Sequence, residues 1–515
     1  MLNFLTSTAI ASPRDEHDQQ LLSHVHPTDW RNPDPAECYD LVVIGAGTAG
    51  LVVAAGAAGL GLGLKVALLE KHFLGGDCLN FGCVPSKCLI RSARTVEEIR
   101  KAGAFGIRIK EPLEVDFTAV MERMRKLRAD ISYHDSAQRF QRLGVDVFFG
   151  EGRFLDEKKI AIGLDVLRYK KAVIATGTRP AIPPITGLEA AGFLTNETVF
   201  SLTKLPARLA IIGGGPIGCE LAQAFQRFGS EVSLLECNSH ILSREDADAA
   251  EILQAAFIGE GIRLVLDSTI ERVEVIAEGK RIDFISKGDR GSIVVDEILV
   301  SAGRIPNVEG LNLEAVGVAY DDRKGIKIND YLQTTNPKIY AAGDICLDWK
   351  FTHTADAAAR IVIKNSLFCP FGLGRNKLSD LVIPWSTYTD PEIAHVGLYE
   401  WEAKARGIKV NTILIPLDTI DRAIADGATA GFVKIHHQKG SDRILGATIV
   451  ANYAGEMISE ITTAIVGKIG LNQLSSIIHP YPTQTEAIKK AADTYRRNLL
   501  TSNTRQLLRL LAKFS

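Results

Sequence analysis

The chain has 515 residues, 46% of them hydrophobic and 23% charged, with a formal net charge of −2. That is globular composition, its length sets a prior of about three or four domains, and its charge balance gives no field that would draw nucleic acid. Eight cysteines in so long a chain do not make a disulfide-dense scaffold, and no apolar run is long enough to span a bilayer. A reducing, cytoplasmic compartment with one reactive cysteine pair fits better.

Residues 1–37 carry Asp, His, Gln and Pro without periodicity and read as an N-terminal extension. Met1 to Ala11 lacks a basic n-region and a long apolar run, so it reads as a tail and not a signal peptide. Tyr39–Ile44 is a short run of strand type. It leads into Gly45-Ala46-Gly47-Thr48-Ala49-Gly50, an alanine-rich helix from about Leu51 to Leu60, and a second strand, Lys65–Leu69, ending at Glu70. Gly45, Gly47 and Gly50 in this strand–helix–strand setting form a dinucleotide fingerprint. Glycines let backbone approach a pyrophosphate at a helix N-terminus, and the acid binds ribose hydroxyls.

Next comes Gly75-Gly76-Asp77-Cys78-Leu79-Asn80-Phe81-Gly82-Cys83-Val84-Pro85-Ser86-Lys87. Five residues of regular helix rise about 7.5 Å, whereas a disulfide wants Cα atoms about 4.4–6.8 Å apart. Gly82 loosens the backbone between the cysteines, and Pro85 clashes with a regular turn behind it. A distorted turn can therefore bring the sulfurs together and leave the bridge reducible. Read alone, the pair could equally be inert and buried. Redox thiols beside a nucleotide motif favour electron transfer.

Helical patterns follow near Leu89–Lys101 and Phe117–Leu143. Val145–Phe149 and Ala172–Ala175 read as strands, the second running into Ala175-Thr176-Gly177-Thr178-Arg179-Pro180 and a Pro-rich crossing. A second dinucleotide unit starts with strand Leu209–Ile212. It continues through Gly213-Gly214-Gly215-Pro216-Ile217-Gly218, a helix to about Phe228, and strand Glu231–Leu235 before Glu236. Glu236 would bond a free ribose 2′-hydroxyl and repel a 2′-phosphate, which favours NAD(H) over NADP(H). Ser301-Ala302-Gly303-Arg304 marks another crossing, and Ile339-Tyr340-Ala341-Ala342-Gly343-Asp344 is a strand running into an acid suited to a sugar-like hydroxyl. Beyond Leu381, strand runs at Thr412–Pro416, Gly431–His436 and Leu445–Ala451, then helices, read as an α+β domain.

In this order the motifs resemble the class I pyridine nucleotide–disulfide oxidoreductases, over about residues 39 to 500. The resemblance implies an α/β protein with two Rossmann-like domains, for FAD and NAD, plus a C-terminal α+β dimerisation domain. The implied boundaries are 1–37 extension, 38–187 FAD domain, 188–303 NAD(P) domain, 304–378 FAD domain resumed, 379–500 dimerisation domain and 501–515 tail. The resemblance assigns Gly45, Gly47, Gly50, Glu70, Gly177 and Asp344 to FAD, and Gly213, Gly215, Gly218, Glu236 and Gly303 to the dinucleotide machinery. It implies that Cys78 attacks the acceptor, Cys83 faces the flavin, and Lys87 lies near flavin N5 paired with Glu220. No resident metal is implied, and the working unit is a homodimer.

The C-terminal motif departs from dithiol-handling members. It reads His479-Pro480-Tyr481-Pro482-Thr483-Gln484-Thr485-Glu486, with Tyr481 where a histidine base is usual and Glu486 where its orienting carboxylate stands. Tyrosine titrates near 10 and is a poor base at pH 7. His479 could substitute. Tyr481 resembles mercuric reductases, yet the last cysteine is Cys369, so no C-terminal cysteine pair is present. Asp77 also replaces the usual threonine. Cys38, Cys88, Cys219, Cys237, Cys346 and Cys369 read as packed. Finally, Leu507, Leu510, Leu511 and Phe514 fall at helical spacing beside Arg505, Arg509 and Lys513. This basic amphipathic helix reads as packed on its own dimer, with weak contact to an anionic membrane surface as the sharper alternative.

Overall fold

Both faces of the first strand, β1 (Tyr39–Ile44), are covered, and this is why it is apolar at all but one position: Leu41 and Val43 enter the core on one side, Val42 and Ile44 on the other. The computed structural model describes residues 15–110 and 113–513. Met1 to Ala11 and Phe514 lie outside them. Two units form, one from residues up to 237 with 268–381, the other from 238–267 with the chain from 382 onward.

The first unit begins with α1 (Glu16–Val25), a helix that the sequence pattern did not reveal. Asp15 caps it, accepting from the amides of His17 and Asp18, and Leu21 and Val25 are fully buried. After β1 come α2 (Thr48–Ala58), β2 (Val66–Glu70), α3 (Gly76–Asn80), α4 (Cys83–Arg100) and α5 (Phe117–Ser132). The helix expected to run from Phe117 to Leu143 is broken. A tight turn, Tyr133–Asp135, follows α5, and Ser136 caps a new short helix by accepting from the Arg139 amide. The capping hydroxyl overrides continued helical propensity there.

β3 (Val145–Phe149) and β4 (Asp165–Ile174) complete a parallel core in the order β3–β2–β1–β4, with two antiparallel strands, Gly152–Asp156 and Lys159–Ile162, appended beyond β4. A second parallel set follows: β5 (Arg208–Ile212), α6 (Pro216–Phe228), β6 (Glu231–Leu235) and β7 (Glu297–Val300), ordered β6–β5–β7. Residues 268–295 form a three-stranded meander. The chain then returns to the first sheet, where β8 (Ile339–Ala341) pairs in parallel with β4, and α7 (Thr352–Leu367) packs on α2. A Cβ at Gly56 would come within 2.5 Å of Ile363 Cδ1, so the small residues of α2 set how closely α7 approaches.

The second unit is a five-stranded antiparallel sheet, its strands in the order 384–387, 392–397, 444–451, 432–438, 410–416. α8 (Ala454–Val466) and α9 (Glu486–Asn498) cover one face through Met457, Ile461, Ile488 and Ala491. α10 (Ser502–Leu511) ends the described chain with Leu507, Leu508, Leu510 and Leu511 exposed. Among the described residues no helix is long and apolar enough to cross a membrane.

Candidate active site

The two glycine loops repeat one construction. Gly45 and Gly213 take φ of +101° and +108°, and a Cβ there would strike the carbonyl of Ala175 at 2.4 Å or of Ser301 at 2.7 Å. A Cβ at Gly50 or Gly218 would lie 1.8 or 2.0 Å from the carbonyl of Gly45 or Gly213. These four glycines are therefore needed by the protein's own packing. Gly47 and Gly215 are different. Both sit at ordinary φ of −75°, at the N-caps of α2 and α6. A Cβ at Gly47 would meet only Gly76 Cα, at 3.8 Å, and one at Gly215 would meet nothing within 4 Å. Neither strain nor packing explains glycine there. A phosphate group approaching the helix N-terminus does. The two acids close the comparison: Glu70 Oε2 accepts from the Ala46 amide at 2.7 Å and Glu236 Oε2 from the Gly214 amide at 2.6 Å. The residues present fit two dinucleotides.

The cysteines stand on either side of a helix break, Cys78 inside α3 and Cys83 opening α4. α3 stops at Asn80, Phe81 and Gly82 leave helical geometry, and α4 starts at Cys83. A Cβ at Gly82 would stand 2.8 Å from the Asp77 carbonyl and 3.4 Å from Cys78 Cα, so glycine lets the chain fold back on the first cysteine. Pro85 sits in the first turn of α4, where its missing N–H costs nothing. Both residues are thiols, in hydrogen-bond contact with each other. That hydrogen bond from Cys78, helped by the charge of Lys87, pulls the Cys83 thiol down to about 6, outweighing desolvation of its sulfur. The same hydrogen bond, with burial, pushes Cys78 up. Cys83 Sγ also lies 3.5 Å from Thr352 Oγ1 at the start of α7. Lys87 Nζ is 2.8 Å from Glu220 Oε2, whose side chain is buried on α6, so the expected pair is in place.

The sequence reading missed the role of Asp77. It forms an ion pair with Arg304, whose Nε donates to Thr178 Oγ1 at 2.6 Å; Thr178 in turn donates to Asp344 Oδ2 at 3.3 Å. This network joins the cysteine helix to Gly177 and Gly303, both at positive φ, and to the Gly343–Asp344 turn. Burial, and then the negative charge of Asp77, raises Glu197 to about 7 beside it. An acid before Cys78 and an arginine after Gly303 were the visible signals, but nothing in the spacing brings them together.

In the second unit the candidate residues are held separately. His479 Nε2 lies 2.7 Å from Glu460, and its side chain is buried. Tyr481 is exposed and donates its hydroxyl to Asp421 Oδ2 at 2.8 Å, a contact that raises its pKa. Glu486 pairs with Lys490 at 3.3 Å, and its buried Oε2 has no hydrogen-bond partner among the described residues. No hydrogen bond joins Tyr481 to Glu486 among the described residues. Of the other cysteines, Cys219 and Cys369 are buried and Cys88 and Cys346 partly so, while Cys38 and Cys237 are exposed, contrary to expectation. Both exposed residues border the buried strands, Cys38 preceding β1 and Cys237 following Glu236.

Residues 39–359 match the family model described as pyridine nucleotide-disulphide oxidoreductase, and residues 383–492 match its dimerisation domain. A mercuric reductase of Lysinibacillus sphaericus is 36% identical over 462 residues, covering 90% of this chain and 83% of that protein. A dihydrolipoyl dehydrogenase of Chlamydia trachomatis is 34% identical over 465 residues, covering 88% and 96%. Among solved structures, LpdA of Mycobacterium tuberculosis superposes with a TM-score of 0.80 at 27% identity, covering 88% of this chain and 99% of that one. The HOCl-induced flavoprotein disulfide reductase RclA of Escherichia coli gives 0.77 at 27%, with the same coverage. Members use FAD with NAD(P)H. With two dinucleotide loops and a thiol pair between them, this chain belongs to the class I pyridine nucleotide-disulphide oxidoreductases and is a flavoprotein disulfide reductase.

Proposed function

We propose that the enzyme oxidises NADH and passes electron pairs through Cys78 and Cys83 to a disulfide, a soft metal ion such as Hg(II), or a small electrophile, in a reducing cytoplasmic setting. The observation that carries this is the unequal pair: one thiol pulled down to about 6, the other pushed up, with Lys87 beside the first. FAD on the first loop supplies the two-electron relay between nicotinamide and sulfur. Gly45, Gly47, Gly50 and Glu70 would hold its adenosine half, with Gly177 and Asp344 along the remainder. Gly213, Gly215, Gly218 and Glu236 would hold NADH, with Gly303 at the crossing.

With a disulfide acceptor the two electrons balance within the pair, which also supplies one of the two protons. Cys83 thiolate takes the proton of Cys78 as Cys78 Sγ attacks one acceptor sulfur, and the other sulfur leaves. Cys83 Sγ then attacks Cys78 Sγ, and the second acceptor sulfur leaves. The enzyme ends with a Cys78–Cys83 disulfide, and the acceptor gains two electrons and leaves as two thiols, one proton coming from Cys78 by way of Cys83 and the second from solvent. The family's C-terminal motif reaches the partner subunit's thiols, and Tyr481, pinned as a donor to Asp421, suits protonation of a leaving group better than dithiol deprotonation.

Dihydrolipoyl dehydrogenase is the second reading, favoured by 34% identity across nearly all of that relative. Steady-state NADH oxidation against lipoamide, glutathione disulfide, Hg(II), a quinone and O₂ separates the readings. Lipoamide as the best acceptor would select the second reading, and no NADH oxidation with any of these acceptors would overturn both. Tyr481→His is expected to raise dithiol activity; no gain would make pocket shape the limit.

The tail's apolar stripe finds its cover in the homodimer. Weak attachment to an anionic membrane is the alternative, favoured by five cations and no acid after Asp493. Equal co-sedimentation with anionic vesicles at low salt, full-length against a chain ending at Asn503, removes that alternative.

A further inference from the structure

Asp18 lies in α1, well before the family's matched segment begins at residue 39. It is only 4% exposed, and a carboxylate is kept at that depth when it is paired. Its Oδ1 accepts from Arg128 Nη2 of α5 at 3.0 Å, and the Arg128 side chain is equally buried. The same guanidinium uses its other terminal nitrogen, Nη1, on the carbonyl of Asn80, also at 3.0 Å. Asn80 is the last residue of α3 and stands between the two cysteines in the chain. Its side-chain amide donates to the carbonyls of Leu74 at 3.0 Å and Gly76 at 2.8 Å. The Leu74 amide donates to the carbonyl of Val25, the last residue of α1, at 3.0 Å. A circuit therefore leaves α1 at Asp18, crosses Arg128 and Asn80, and returns to α1 at Val25.

We infer that this buried circuit positions the redox pair: α1, through Asp18, Arg128 and Asn80, fixes the turn that carries Cys78 into reach of Cys83. Packing alone could hold α1 on α5, since well-packed apolar residues often replace a buried ion pair without loss. What they could not do is anchor the Asn80 carbonyl. Arginine suits the task because one planar fork reaches two acceptors at a fixed angle, whereas lysine offers a single point charge. Gly76 extends the consequence to the cofactor side, because a Cβ there would lie 2.6 Å from Gly47 Cα. With the bridge broken, Cys78 is free to drift from Cys83, which then loses the hydrogen bond that favours its thiolate. Asp18 and Arg128 are positioning residues in this scheme and touch no reacting atom.

The inference deepens the redox reading of the pair, so its test is made independent of turnover. Pre-reduced full-length protein, purified with its flavin, is alkylated with iodoacetamide across pH, and each cysteine is followed by peptide mass spectrometry. The exposed Cys38 is the internal reference. Arg128→Lys keeps the charge and loses the fork; Asp18→Leu with Arg128→Met keeps the core filled and loses the bridge. Both are expected to move the Cys83 midpoint up by about one pH unit, so that alkylation at pH 5 slows about tenfold. Cys38 should not change, and Asp18→Glu should restore the native profile. An unmoved Cys83 profile in Arg128→Lys overturns the inference, as does slowing seen only in proportion to a fall in Tm. If the double variant fails to fold, Arg128→Lys decides the matter by itself. A protein that alkylates as expected but reduces no acceptor would sink the functional reading and leave the positioning role intact.

Discussion

The two glycine loops share glycines, dihedral angles and acids, yet they differ in what stands behind the middle glycine. Gly47 is backed by Gly76, whose Cβ would come within 2.6 Å of Gly47 Cα, and Gly76 opens the helix that carries Cys78. A Cβ on Gly215 would meet nothing within 4 Å. One fingerprint therefore serves two arrangements. The first loop is backed by the segment that bears the thiols, while the space beside the middle glycine of the second is open. The motif names the ligand class, and the backing decides how that ligand is held.

The hardest way to break this comparison is to fill both middle glycines. Gly47→Val is expected to yield protein without bound flavin, read as loss of visible absorbance. Gly215→Val should keep the flavin and lose NADH use by about 100-fold in kcat/KM, because overpacking costs about 1–3 kcal/mol. Chemical reduction by dithionite should still reach the flavin in Gly215→Val. Loss of flavin in both variants, or in neither, would erase the distinction between the loops.

The acids sharpen it further. Glu236 should make NADH the better donor by about 10- to 100-fold in kcat/KM, the worth of one lost hydrogen bond or one buried repulsion. Glu236→Ala should narrow that ratio, while Glu70→Ala should weaken flavin retention and leave donor preference unchanged. A native preference for NADPH would remove Glu236 from this role.

Local chemistry made much of this legible in the sequence. Gly45 to Glu70 and Gly213 to Glu236 could be read because glycine, strand, helix and acid lie within a short span, and the cysteine turn because C-x4-C cannot sit on a regular helix. Lys87 and Glu220 were reachable only through family resemblance, since α4 and α6 are brought together by tertiary packing. The Asp77–Arg304 pair and the Asp18–Arg128–Asn80 circuit were invisible for the same reason: Asp77 and Arg304, and Asp18 and Arg128, each lie more than a hundred positions apart. α1 escaped notice because its stripe is narrow, with only Leu21 and Val25 of its apolar residues fully buried. At the C-terminus, Tyr481 stands out in the sequence by its type, but Asp421, which accepts from its hydroxyl, lies 60 residues upstream.

The finest test of the comparison is a titration that should respond on one side alone. Folding lowers the Cys83 thiol from an ordinary value near 9 to about 6. In the two-electron-reduced enzyme Cys83 is therefore a thiolate above pH about 6 and becomes protonated below it. The stabilising contribution of that shift is complete above the unfolded thiol's value and is lost as pH falls through about 6. A long-wavelength charge-transfer band from Cys83 thiolate to FAD should accordingly grow through pH about 6. It should vanish in Cys83→Ala and be present without reduction in Cys78→Ala; a plain oxidised flavin spectrum in Cys78→Ala would reverse the roles of the two thiols. Lys87→Gln removes a nearby positive charge, so the midpoint should rise, by about one pH unit. Gly215→Val should leave the midpoint where it was, because a Cβ on Gly215 meets nothing within 4 Å. A midpoint that moves with Gly215 as much as with Lys87 would mean that the two loops are coupled through the thiols, and that the separation drawn from their surroundings is wrong.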